Sequence, residues 1–372
     1  MRLSGLLFCL LAVIISLPLI QGIFPYISSK PLAGAVNTAE APEFSFKSWV
    51  SRDFQRQAEP FLQQATGFYP DLVRLNNQLD YSIFNRVHAK DVIIGKDHYL
   101  YEQNYIADYT GRNFIGDTAA EARLSALKFI QDSLSEHGTG LLILFLPGKA
   151  SFYPEYIPDE LLKEKTGISN YKYLSEGCKR HGINYIDFNR YFLAMKDTAS
   201  WPLYPRYGIH WSIYGMGICT DSLFRYISHN LGIRMHDFGW DGLDITADLR
   251  DTDYDVGEGL NLIWKMKNTP GAYPRFYHRQ VENAVKPDVL VIADSFFWMI
   301  YGNGLTTPMF GKHDFWYYFE QSIAANRPLS SYTDQELKTE TESYDLIILM
   351  STEANLYKFP FGFSDRLRPC YP

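Results

Sequence analysis

The sequence is short of cysteine, of net positive charge and of long apolar runs, and each shortage closes off a class of protein. Four cysteines in 372 residues are too few for a disulfide-dense scaffold or a cysteine-rich zinc fold. With 35 basic against 42 acidic side chains the formal charge is −7. No Lys/Arg stripe stands out, so nothing electrostatic points to a nucleic acid. No His, Cys and carboxylate cluster has metal-ligand spacing and no Gly-rich loop suits a phosphate, so neither metal nor cofactor is expected. There is no internal repeat and no low-complexity tract. What remains is a globular composition, 46% hydrophobic and 21% charged, with enough core for one large domain or two ordinary ones. Aromatics are plentiful at 16%, which suits a large sheet core or a surface that stacks on sugar rings.

The one long apolar run is at the amino terminus. Residues 3–29 carry no charged side chain, and 6–20 is nearly continuous apolar sequence broken by Ser16 and Pro18. With Gly22, Ile23 and Phe24 it approaches the ~20 residues that a membrane-spanning helix needs. Arg2 ahead of it predicts a cytoplasmic amino terminus and an extracytoplasmic main body. Residues 1–26 therefore read as a signal anchor of a single-pass protein. The alternative is a cleaved signal peptide and a secreted product. Ala33-Gly34-Ala35 has the small-x-small form of a cleavage site but lies well past the run. Cys9 lacks the small residues of a lipoprotein site before it. Cys178, Cys219 and Cys370 remain outside the run, so at least one thiol is free or pairs between chains. A Cys178–Cys219 bridge is open; buried small hydrophobes are the plainer reading.

Residues 27–42 read as a linker and 43–372 as the main domain. Residues 44–86 are helical in character, with Pro70 placed to open a second helix. Two short strands, at 91–95 and 99–101, flank a Gly-Lys-Asp-His turn. From Thr118, which begins a capping-box sequence, helices and strands alternate. The strands are 141–146, 183–188, 289–293 and 346–350; the helices include 170–181, closed by Gly182, and one running from Ser212 to about Asn230, stopped by Gly232. Short, wholly apolar strands are those covered on both faces. The alternation predicts a three-layer α/β domain with a mostly parallel sheet. Residues 233–287, rich in Asp and Gly, break the alternation and read as an insertion over the surface.

In open parallel sheets ligands bind beyond the carboxyl ends of the strands. Lys149, Asp187, Asp294, Ser295, Glu353 and Asn355 all fall there. Ser295 is the nucleophile candidate, because a tight turn after a buried strand exposes a hydroxyl and gathers backbone N–H groups that can stabilise an oxyanion. His210, just ahead of a helix start, is the candidate base. Lys149, Glu353 and Asn355 are candidates for holding substrate or the oxyanion. Each has a plainer reading: Asp-Ser after a strand is also an ordinary helix cap, a histidine before a helix is often a structural hydrogen-bonder, and Lys149 and Glu353 suit loop ion pairs.

Ala293-Asp294-Ser295-Phe296 resembles the Gly-Asp-Ser-Phe nucleophile block of SGNH hydrolase-like domains. Gly208-Ile209-His210-Trp211-Ser212 resembles the Asp-x-His-Trp block of the alginate O-acetyltransferase AlgJ/AlgX group, where the histidine also precedes the serine. Ile94-Gly95-Lys96-Asp97-His98-Tyr99-Leu100-Tyr101 is similar to that group's Gly-Lys-Asp-Gly-Trp-Leu segment. Pro147-Gly148-Lys149 with Tyr153-Pro154 is similar to its Pro-x-Lys and Tyr-Pro-Glu segment. The resemblance spans roughly residues 45–355. It implies an SGNH-like fold behind an N-terminal membrane helix, and a periplasmic enzyme that acetylates a polysaccharide. It implies an acyl-serine on Ser295, with His210 as base and then acid, and a membrane-bound O-acyltransferase as the partner that relays acetyl. Asp294 and Trp211 would be structural members of the motifs.

One departure bears on the chemistry. Gly208 stands where the group has the aspartate that orients the histidine, and removing such a group from a triad costs ~10⁴ in rate. The outcomes are a serine–histidine dyad, a substitute acid or an inert site. Asp187 is the expected substitute, with Glu353 and Asp294 as rivals, although Asp294 is better suited to bracing its own turn. Three functions are thus in play: O-acetyl transfer to an exported or envelope polysaccharide, a serine carbohydrate esterase, and a non-catalytic glycan-binding relative. The aromatic stretch 315–319 fits sugar stacking in any of them and equally fits packing. An α/β-hydrolase is disfavoured because Ser295 lacks the flanking glycines of Gly-x-Ser-x-Gly.

Overall fold

The computed structural model describes residues 3–34, 38–163, 165 and 167–371. Arg2 and Ala35, on which the orientation and cleavage readings rest, lie outside the described residues. The chain forms two compact units, 1–90 with 256–267, and 91–255 with 268–372.

The first unit begins with the helix Leu3–Ile23. Twenty-one residues at 1.5 Å each give about 30 Å, enough to cross the hydrocarbon core of a bilayer. Three helices follow, Phe46–Val50, Asp53–Ala65 and Tyr69–Phe84, the last with Pro70 in its first turn. There Pro costs nothing, because its missing N–H would have had no helical partner. Within this unit the 256–267 segment is tied by Asn77 Nδ2 to the Leu260 carbonyl (2.9 Å) and by Asn261 Oδ1 to the Ala33 N–H (2.8 Å).

Among its described residues the second unit contains eleven strands. β1 (Val92–Ile94) and β2 (Leu100–Glu102) pair antiparallel. The main sheet is built from β3 (Gly140–Leu146), β4 (Tyr185–Asp187), β7 (Val289–Ala293), β8 (His313–Tyr317), β9 (Gln321–Ser322), β10 (Arg327–Pro328) and β11 (Leu346–Thr352). Its order is β10-β9-β8-β7-β11-β3-β4. The five strands from β8 to β4 are parallel, and β9 and β10 add an antiparallel edge. β3, β7 and β11 are buried on both faces, which is why they read as unbroken apolar runs. Alternate residues serve opposite faces: Leu141, Ile143 and Phe145 join Leu290, Ile292, Ile347 and Leu349 in one core cluster. Ala120, Leu124, Leu127, Ile130 and Leu134 of the helix Asp117–Glu136 complete that cluster, at the three- and four-residue spacing of a single helix face.

Most expected elements form, and three differ: the strand expected over 183–188 is only Tyr185–Asp187, because Asp187 caps a helix that starts at Phe188. The helix expected to open at the Thr118 capping box begins one residue earlier, at Asp117, and its N-cap is Gly116 with no side-chain bond. The 233–287 excursion is a long antiparallel ribbon, β5 (Asp237–Thr246) with β6 (Gly271–Arg279). Its aromatic face packs on the helix Ile213–Asn230: Phe238 meets Phe224 edge-on at 5.1 Å, and a side chain at Gly217 would collide with the Phe276 ring. The four cysteines are free thiols, so Cys178 and Cys219 are buried without a bridge.

Candidate active site

The sheet register sets the stage. Ala293 at the end of β7 pairs with Tyr317 on one side and Met350 on the other, and Met350 pairs with Leu144. The residues that follow these positions therefore meet: Asp294-Ser295, Tyr318, Ser351-Thr352 and the turn after β3. Asp294 is fully buried and braces this edge. Its Oδ2 accepts from Thr352 N–H (2.8 Å), Thr352 Oγ1 (2.7 Å) and Asn355 Nδ2 (3.0 Å), while Oδ1 accepts from Phe296 N–H (3.2 Å). A carboxylate so occupied locks the turn and leaves Ser295 at its partly exposed crest.

The Ser295 hydroxyl donates to His210 Nε2 at 3.0 Å. His210 reaches it from the loop ahead of the helix Ile213–Asn230, whose N-cap Ser212 accepts from Gly215 N–H (3.0 Å). The buried Phe296 ring lies 4.7 Å from the imidazole and 5.5 Å from Trp211, and Trp211 is itself 1% exposed. Trp211 thus acts through packing. On the far side of the ring, His210 Nδ1–H donates to Asp255 Oδ2 at 2.6 Å, and Asp255 Oδ1 accepts the Ile209 N–H at 3.0 Å. A carboxylate only accepts, so it selects the tautomer that leaves Nε2 free to take the serine proton.

Asp255 is therefore the acid behind His210, and the expectation of Asp187 is corrected. Asp187 ends β4, three strands from β7, which at the usual spacing is about 14 Å across the sheet. Its oxygens accept from the Tyr171 hydroxyl (2.9 Å to each) and from Arg190 N–H (2.9 Å). Asp187 is a helix cap with a tyrosine partner. The rival Glu353 is occupied too: it accepts from Gly148 N–H (3.0 Å), Ser151 and Asn189, joining the turns after β3, β4 and β11. Burial raises its carboxyl to about 7. Asp108 is buried nearby; burial first, and then the Glu353 charge, raise its carboxyl well above the usual range.

Lys149 is likewise turned inward rather than toward a substrate. It is fully buried, and Nζ donates to the carbonyls of Arg206 and Gly208 at 2.7 Å each, beneath the rings of Tyr99 and Tyr101. Burial holds its pKa well below the usual lysine value, while the Asp255 charge opposes that shift. Its work is to pin the backbone that leads into His210. Asn355 does stand near the nucleophile. Its amide donates to the Tyr318 hydroxyl at 3.2 Å, and that hydroxyl is in hydrogen-bonding reach of Ser295.

Gly208 has a physical explanation. A Cβ there would lie 2.2 Å from the Thr252 carbonyl oxygen and 2.8 Å from Pro205 Cγ. The turn Asp251–Tyr254 that delivers Asp255 occupies the space a side chain at 208 would need.

Residues 92–234 match the family described as SGNH hydrolase-like domain, acetyltransferase AlgX. Among solved structures, the O-acetyltransferase domain of Pseudomonas putida AlgJ is similar at 15% identity, over 75% of this chain and 99% of that one, with a TM-score of 0.48. Pseudomonas aeruginosa AlgX is similar at 13% identity, over 74% of this chain and 67% of that one, with a TM-score of 0.48. Bacillus cereus PatB1 is similar at 10% identity, over 71% and 96%, with a TM-score of 0.41. No curated protein matches the sequence.

Reading the residues in order missed Asp255, Tyr318 and Glu102. Asp255 lies in the insertion, outside the segment matched by the AlgX-type family; its one signal is the alternation Asp251-Thr-Asp253-Tyr-Asp255. Tyr318 lay inside an aromatic run and was indistinguishable from core. Glu102 ends β2 close to the site: burial raises its carboxyl pKa, the Asp255 charge adds to the shift and His210 opposes it.

Proposed function

We propose that this chain is a serine-dependent O-acetyltransferase acting on the hydroxyls of an exported or envelope polysaccharide. The observation that carries the reading is the continuous hydrogen-bonded series Ser295–His210–Asp255, with distances of 3.0 and 2.6 Å. The match of residues 92–234 to the family of the acetyltransferase AlgX supports acetyl transfer as the reaction.

The chemistry follows from the geometry. Ser295 Oγ attacks the acetyl carbonyl as its proton passes to His210 Nε2, and Asp255 stabilises the imidazolium so formed. The carbonyl electrons move to oxygen, which the Ser295 N–H and the Tyr318 hydroxyl beside Ser295 would stabilise as donors. Asn355 donates to the Tyr318 oxygen, which leaves the phenolic proton for the oxyanion. Collapse expels the donor's oxygen, protonated by His210, and leaves acetyl-Ser295. In the second half His210 takes the proton of a sugar hydroxyl, that oxygen attacks the acetyl carbon, and Ser295 Oγ leaves with the proton. In the cell, a membrane-bound O-acyltransferase would supply acetyl to a protein held at the membrane by the helix Leu3–Ile23.

The test uses 4-nitrophenyl acetate as donor, with and without an oligosaccharide acceptor. The expected result is acetyl-Ser295 by peptide mass mapping and acetylated oligosaccharide that Ser295→Ala abolishes. Acetyl release to water that no acceptor diverts would make the protein an esterase. Full transfer by a folded Ser295→Ala protein would remove the serine from the mechanism.

A further inference from the structure

The turn that delivers Asp255 carries a second acid that the reaction above does not use. Asp253 is 1% exposed. Its Oδ1 accepts from the Ile213 N–H at 3.2 Å. The Tyr273 hydroxyl of β6 donates to the same carboxyl and itself accepts from Arg250 N–H at 2.8 Å. Two residues on, Asp255 accepts from the Ile209 N–H. The five-residue stretch 209–213 is thus gripped at both ends by carboxylates from one turn, and His210 lies between the grips. Ile213 opens an eighteen-residue helix, so its N–H has no partner within the helix and a buried oxygen must supply one.

We propose that Asp253 is the positioning residue for the catalytic acid: it locks the Asp251–Tyr254 turn to the start of the Ile213–Asn230 helix, and so holds Asp255 on His210 Nδ1. This rests on the reading that Ser295, His210 and Asp255 perform the chemistry. The turn needs an external lock. It is four residues long, Asp251 sits in the left-handed region at φ 49°, and Arg250 makes no side-chain cap. Asp255 is tied less deeply, with about a quarter of its side chain in solvent. Without the grip at Ile213, the turn can slide relative to the histidine loop, and a shift of about 1 Å at a catalytic group costs on the order of 10²-fold in rate.

The lock requires an acceptor oxygen rather than a charge, since burial raises the Asp253 carboxyl to about 7 while the Tyr273 and Ile213 bonds oppose that shift. Asparagine keeps an acceptor for the Ile213 N–H, and its amide can donate to the Tyr273 oxygen.

The experiment measures acetyl release from 4-nitrophenyl acetate by the full chain. Asp253→Ala should lower kcat on the order of 10²-fold with KM within about threefold, and Asp253→Asn should restore most of that loss. The decisive arm is the pair with Asp255→Asn. Asp253 acts through Asp255, so Asp253→Ala added to Asp255→Asn should cost little more than Asp255→Asn alone, whereas independent effects would multiply. Tyr273→Phe gives a second variant should Asp253→Ala not fold; it should cost about tenfold in kcat, again lost in the Asp255→Asn background. Unchanged kcat in the folded variants, or losses that multiply with Asp255→Asn, overturn the proposal. Ser295→Ala distinguishes the two claims: if it leaves acetyl release intact, the serine reading fails instead.

Discussion

Asp255 Oδ2 lies 2.6 Å from His210 Nδ1, although 45 residues separate the two in the chain. The pair joins the loop before one helix to the tip region of a ribbon that packs on that same helix. Ribbon and helix are held together by aromatic contacts such as Phe238–Phe224, and the turn Asp251–Tyr254 beyond the ribbon strand carries the acid to the base. An acid presented this way replaces one on the histidine's own loop without changing what the imidazole receives.

Asp255→Asn should therefore lower acetyl transfer by ~10³–10⁴-fold, because an amide can present its N–H and stabilise the wrong tautomer. Asp187→Asn should change it by less than about threefold, in keeping with a helix cap remote from the site. Steady-state kinetics on the two folded variants compares them directly. A large loss at Asp187 with none at Asp255 would reverse the assignment.

Gly208→Ala should be costly although no side chain is lost. The added methyl meets the Thr252 carbonyl and must push the acid-bearing turn away from His210. A fall in kcat of about 10- to 100-fold is expected, with KM little altered. Gly208→Asp combined with Asp255→Ala should not restore activity, since the turn still fills the space. Recovery to near the wild-type rate would show that the turn yields easily.

Stability should decline from pH 4.5 toward pH 7 through Glu353. Its native carboxyl titrates near 7 against an ordinary value of 4.5, raised chiefly by burial. The folded protein keeps a proton in that window that the unfolded chain has released. The group's contribution is thus full below about 4.5 and is lost as pH rises through 7. Asp253 acts in the same direction, for the same reason. Glu353→Gln should flatten the slope, because an amide keeps an acceptor for Gly148 and Ser151 and its NH2 can meet Asn189 Oδ1, which has no partner among the described residues. Urea unfolding at pH 5 and pH 8, wild type against variant, reads the difference. Equal slopes would mean that Glu353 does not hold the proton.

Thiol labelling should separate the cysteines by burial. Cys178 is pushed up to about 12 by burial, and Cys219 is raised well above the usual thiol value for the same reason. Both should resist a maleimide until the protein is unfolded, while partly exposed Cys370 reacts in the native state. Protection of Cys178 and Cys219 that persists in denaturant and disappears with reductant would reveal a disulfide instead.

The amino-acid order alone determined the parallel sheet and the apolar first helix, and it marked Ser295 and His210 as separate candidates; that their side chains meet was decided by the fold. The sheet and helix signals are local: apolar runs of five to seven residues, a cap at Ser212 and a glycine stop at Gly232 declare themselves within a short window. The identity of the acid was decided only by tertiary structure. Asp187, Glu353 and Asp255 are the same kind of group in a sequence, and nothing local tells a helix cap or a buried tie from a carboxylate facing an imidazole. Strand order carried Asp187 away, hydrogen bonds from three turns consumed Glu353, and the packing of the ribbon on the helix brought Asp255 to the ring. Hydrogen bonds act over about 3 Å, so which carboxylate serves depends on where distant segments finally pack.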